Sequence, residues 1–199
     1  MTRRSELKEE SLHRILDAGA ARLRREGLAG MAIANVMRDA GLTHGAFYVH
    51  FRNKNELAEG ALRHALIGNR QRWVGELRRE SWTQRLRRLA SRYLTKAHRD
   101  DPGNGCALAA LATETARSDS GFRGAYEAEL RKSLQGICCG TERNQEPTRQ
   151  HFDDAVALLA MCVGGIALSR AVVDEELSER VLRACVTAAA RIASPDSGS

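Results

Sequence analysis

Residues 35–54 read NVMRDAGLTHGAFYVHFRNK, and this stretch decides the fold. Ile33, just before it, shares one face of a short helix with Val36 and Met37. Gly41 then supplies the backbone freedom that a tight turn needs. A second short helix is predicted over residues 44–51, opened by Thr43, whose hydroxyl is expected to accept orphan N–H groups of the first turn. Phe47 and Phe51 lie one helical turn apart and face inward, which leaves His44, Gly45, Ala46 and His50 outward. A pair of short helices about a glycine-containing turn is how a reading helix is set into the DNA major groove. The pattern implies a unit that binds double-stranded DNA.

The residue types suit that task. Gly45 and Ala46 are small where a helix backbone must approach the bases. His44 can donate to or accept from base edges, depending on its tautomer. Tyr48, His50 and Lys54 are placed for phosphate oxygens, contacts that set position and affinity rather than sequence choice. Two alternatives stand beside this: His50 as a core imidazole, and Tyr48 half-packing its ring while offering only its hydroxyl.

Upstream, Leu12, Ile15, Leu16, Gly19 and Leu23 mark one apolar stripe on a helix over residues 5–26, ended by Gly27. With Ile33, Val36, Phe47 and Phe51 they make the core of a three-helix head. Downstream, Lys54 opens a long helix to about residue 79 that belongs partly to the head and partly to the body. Further helices are predicted at residues 83–99, 106–118, 121–138, 148–173 and 178–193, with loops at 101–105 and 141–147. No strand pattern or internal repeat is present. The expectation is an all-α chain. It has a helix-turn-helix head at residues 5–68 (motif about 32–51) and a ligand-sensing and dimerisation body at 69–193, followed by a disordered tail at 194–199.

Charge is distributed unevenly. Residues 1–99 hold 21 Lys and Arg against 10 Asp and Glu, whereas residues 100–199 hold 10 against 15, so a polyanion is expected at the front half only. The opening residues carry no export signal, and the uncharged run at residues 155–168 is too short to span a bilayer. Cys106, Cys138, Cys139, Cys162 and Cys185 lack metal-type spacing, which suggests a reducing cytoplasm with no disulfide framework, metal or cofactor. Catalytic signatures such as HExxH and GxSxG are absent, and GNGCAL lacks the preceding strand of a nucleotide loop, so no enzyme is expected. The competing non-enzymatic reading is a helical adaptor whose basic half binds an acidic protein.

In the body, residues 148–173 are apolar nearly all round, and such a helix needs cover on several faces. Together with residues 178–193 it is predicted to pair with its copy in a second chain, through Phe152, Leu159, Val163, Leu182 and Val186. Cys106 is expected in the first turn of its helix, where the dipole favours a thiolate. It is therefore a candidate sensor of electrophiles, against the plainer role of a small buried hydrophobe. Trp73, Trp82, Tyr93, Phe122 and Tyr126 could line an organic-ligand pocket between helices, but aromatics at helical spacing are more often core, and none is assigned as a ligand contact.

The segment GLTHGAFYVHFRNKNEL resembles the signature of the tetracycline-repressor (TetR) family, through Gly41, Thr43, Gly45, Phe47, Tyr48, His50, Phe51, Lys54 and Leu57. The upstream ILDAGAARLRREG is similar as well, and the resemblance covers about the first 60 residues. It implies a homodimeric transcriptional regulator, usually a repressor, released from a palindromic operator by a small inducer. One departure is present. Where the family usually begins its second helix with a hydroxyl pair that caps it and touches phosphate, this chain has Met31-Ala32.

Overall fold

The computed structural model describes residues 3–75, 78, 80–138 and 148–192. Ten α-helices are found among them: α1 Arg3–Glu26, α2 Ile33–Asp39, α3 His44–Phe47, α4 Lys54–Trp73, α5 Trp82–Tyr93, α6 Lys96–Asp100, α7 Ala107–Thr115, α8 Ser120–Cys138, α9 Arg149–Ala171 and α10 Glu175–Ile192. Short 3-10 turns lie at Gly27–Gly30 and Pro102–Asn104, and the described residues contain no strand. The expected all-α class is the observed one. Cys139, the loop at 141–147, the end of the long helix at residue 79 and the tail at 194–199 lie outside the described residues.

Two compact units emerge, one of residues up to Asn69 with Pro102–Glu129, the other of Arg70–Asp101 with the residues from Leu130 on. In the first, α1, α2, α3 and the front of α4 enclose Ile15, Leu23, Met31, Val36, Met37, Phe47, Leu57 and Leu62, all at most 1% exposed. Leu12, Leu16 and Ile33, expected in this core, are half-buried at its edge. Gly27 and Gly41 both take φ of +65°, the left-handed conformation in which a side chain is strained. Gly27 ends α1 and Gly41 turns α2 into α3.

In the second unit α9 packs against α5, α6 and α10. Arg85 is fully buried and donates to the carbonyls of Ile137 (2.6 Å) and Gly136 (2.9 Å), satisfying the last turn of α8. The Trp82 indole N–H donates to Asp154 at 2.7 Å, which accounts for a carboxylate buried on α9. By length and composition α9 could cross a membrane, being longer than its uncharged run. Its Ala155, Leu158, Leu159, Cys162 and Ile166, however, lie in the core of this unit.

Several boundaries differ from expectation. The helix from Lys54 ends at Trp73 because Gly75 adopts φ of +64°. The helix predicted at 83–99 is broken in two: Leu94 leaves helical geometry, and the Thr95 hydroxyl accepts from the His98 N–H to start α6. The last helix begins at Glu175 rather than residue 178, since the Asp174 carboxylate accepts from the Leu177 N–H. Cys106 is the residue that precedes α7, not a member of its first turn. Its thiol is 1% exposed and accepts from the Asn69 amide at 3.2 Å.

The predicted pairing residues divide. Leu159 (3% exposed) and Leu182 (4%) face inward and belong to the protomer's own core, while Phe152, Val163 and Val186 are half-buried. On the same apolar helix Val156 and Leu168 are exposed, as is Ala160 between them. The five aromatic candidates are divided between the two units. Trp73, Trp82 and Tyr93 belong to the second unit, Phe122 and Tyr126 to the first. The Trp73 N–H is committed to Leu89 O and the Tyr126 hydroxyl to Leu108 O.

Candidate DNA-reading face

One side of α1 holds the helix-turn-helix in place through three polar ties. Arg22 Nε donates to Asp39 on α2 at 2.6 Å, and Arg14 donates to the Gly41 carbonyl at 3.1 Å. Ser11 Oγ meets His50 Nε2 at 2.8 Å. Beneath them Phe47 (fully buried) and Phe51 (7% exposed) stack with ring centroids 5.8 Å apart, anchoring α3 on the core as expected.

That anchoring leaves Thr43, His44, Gly45 and Tyr48 exposed and Ala46 half-buried. The segment is shorter than predicted. The α-helix covers His44–Phe47 only, and the chain then tightens, with Val49 N–H bonded to Ala46 O and His50 N–H to Phe47 O. Thr43 has the extended backbone of a capping residue, but its hydroxyl accepts no capping hydrogen bond, which corrects the sequence expectation. Tyr48 stands edge-on to both Phe47 (5.1 Å) and His44 (5.7 Å), so its ring is steadied while its hydroxyl has no protein partner among the described residues. A Cβ added to Gly45 would meet nothing within 4 Å. Protein packing therefore does not demand a glycine there.

Lys54 is exposed at the start of α4, and no acidic residue occurs between Asp39 and Glu56. Glu56 instead folds back on the Arg52 N–H at 2.7 Å, a bond that lowers its pKa. Arg52, to which the sequence analysis gave no role, projects an 89% exposed side chain that lies 3.4 Å from Glu56. Lys8 and Ser11 were also missed, because only the folded α1 brings them to His50. His50 itself is half-buried, and burial first, then the charge of Lys8, lowers its pKa. The ring is thus neither a fully buried core imidazole nor a fully exposed one. Among the described residues no group of three or more His, Cys, Asp or Glu side chains is placed to hold a metal.

An α1-braced turn that displays a small-residue, uncharged-to-basic helix over two buried phenylalanines defines the helix-turn-helix class of DNA-binding regulators. Residues 15–61 match the sequence model of the family described as bacterial regulatory proteins, tetR family. The match covers the helix-turn-helix head and the helices that brace it, about a quarter of the chain. Among curated proteins no relative matches the chain.

Solved structures share the fold over nearly the whole length. A TetR transcriptional regulator from Chloroflexus aurantiacus is 23% identical, with 94% of this chain and 95% of that one covered and a TM-score of 0.70. The reduced form of NemR from E. coli is 17% identical, with 94% and 100% covered and a TM-score of 0.72. FadR from Bacillus subtilis, solved in complex with stearoyl-CoA, is 16% identical, with 88% and 97% covered and a TM-score of 0.58.

Proposed function

We propose that this protein is a homodimeric, cytoplasmic transcriptional repressor that reads a palindromic operator through α3 and is released from it by a small-molecule inducer. The observation that carries the reading is the exposed face of α3, where His44 and Gly45 stand clear of the protein over the buried Phe47. In this reading His44 contacts base edges, Gly45 and Ala46 let the backbone approach, and Thr43, Tyr48, His50 and Lys54 meet phosphates. Residues 5–68 serve as the DNA-binding domain and residues 69–193 as the sensing and dimerisation domain.

A single short reading helix needs a second one at fixed spacing, which a two-fold dimer supplies. The exposed apolar residues Val156, Ala160 and Leu168 on α9 support pairing there, and Phe152, Val163 and Val186 are half-buried. For the inducer, the burial of Cys106 favours an organic ligand over an electrophile acting at that thiol. A ligand of that kind is seen in the structural neighbour FadR, in complex with stearoyl-CoA.

The test is selection of duplexes from a random-sequence pool by the full chain, with sedimentation of the free protein. A two-fold symmetric consensus and a dimeric mass are expected, and Ala160→Arg should yield a monomer that no longer retains the selected duplex. Enrichment of no sequence would refute the reading. Cys106→Ser should remain releasable by the inducer, and loss of release in that variant would return the trigger to the thiol.

A further inference from the structure

Ser11 Oγ lies 2.8 Å from the Lys8 carbonyl, to which it donates, and 2.8 Å from His50 Nε2. A hydroxyl has one proton, and the Lys8 carbonyl can only accept it. Oγ therefore has only lone pairs left for His50, and a close contact at that distance requires Nε2 to carry the hydrogen. In the neutral ring Nδ1 is then the bare acceptor nitrogen. It points away from Ser11 and has no protein partner among the described residues.

We propose that Ser11 is a positioning residue that locks His50 in its Nε2–H tautomer, so that the ring donates to a DNA phosphate only as imidazolium and each reading head takes up one proton on binding. This rests on the phosphate role given to His50 above. A bare Nδ1 facing a phosphate oxygen sets lone pair against lone pair, whereas protonation turns the same atom into a charge-assisted donor. Burial first, then the cation of Lys8 on α1, favours the neutral ring in the free protein; Ser11 and the ring of Phe51 are its other close neighbours. A phosphate reverses that preference, so proton uptake accompanies binding and affinity rises as pH falls.

Folding stability moves the other way. A histidine whose pKa is lowered in the fold stabilises it above the unfolded value near 6.5, and that contribution is lost as pH falls through the folded value. Tighter binding at low pH cannot then be ascribed to a firmer fold.

The experiment titrates the full chain against its selected duplex at fixed salt from pH 8 to pH 6, and records imidazole nitrogen shifts of the free protein, with His50→Gln assigning the signal. The association constant of the wild type should rise by up to about tenfold per pH unit for each proton taken up, and His50 should show the Nε2–H signature. Ser11→Ala frees the ring to adopt the other tautomer, so it should flatten the pH profile, while Ser11→Thr should retain it. A Ser11→Ala profile as steep as the wild type, a flat wild-type profile, or an Nδ1–H signature overturns the inference while leaving DNA reading intact. Failure to bind any sequence at every pH overturns the DNA reading and the inference together.

Discussion

Replacing Gly45 with alanine separates what the fold needs from what the DNA needs. Gly45 sits within α3 without positive φ, and an added Cβ meets nothing within 4 Å. The methyl therefore clashes with no protein atom, and the loss of glycine's excess freedom in the unfolded chain should stabilise the protein by about 0.5–1 kcal/mol. For a chain of this size that corresponds to a rise in Tm of about 1–4 °C. On DNA the same methyl projects from the surface assigned to the bases. Displacing the backbone there should cost about 1–3 kcal/mol per half-site, comparable to a mismatched base pair. Thermal melting and fluorescence anisotropy on the selected duplex measure the two effects side by side. A Gly45→Ala protein that is more stable and binds as tightly as the wild type would refute the claim that this face approaches the bases. A less stable variant would refute the packing argument.

Two further outcomes test neighbouring contacts. Lys54 makes no ion pair among the described residues, so Lys54→Ala should leave stability nearly unchanged while weakening binding to all sequences alike; the slope of log affinity against log salt should fall by about 0.9 per head. His44→Ala should instead relax discrimination between the selected duplex and single-base variants, and unchanged discrimination would remove His44 from base reading. Ala32 precedes α2 with extended backbone and no side-chain cap, so Ala32→Thr should stabilise the head by about 1 kcal/mol in a denaturant melt. By adding a hydroxyl beside the phosphates it should also tighten binding, and loss of affinity would show that α2 does not begin at the DNA backbone.

The sequence alone was enough for the all-α class and for the helix-turn-helix pattern near the start of the chain, because the signals there are local. An apolar residue every third or fourth position, a glycine that must turn at residue 41 and two phenylalanines one turn apart each act through nearest neighbours along the chain. Met31 shows the same logic from the other side: its lost hydroxyl was legible in sequence, and the fold uses the side chain as fully buried core instead. Local signals failed where a distant partner decides. Nothing near Leu159 or Leu182 distinguishes an inward leucine from one facing a second chain, since both satisfy the same helical period. The break at Leu94–Thr95 and the buried Arg85 that closes α8 depend on caps and carbonyls that only folding delivers. So does the Ser11–His50 contact, across 39 positions of chain. Periodicity specifies which face of a helix is apolar. What covers that face, and which polar atom meets a side chain from afar, is set by how the helices pack.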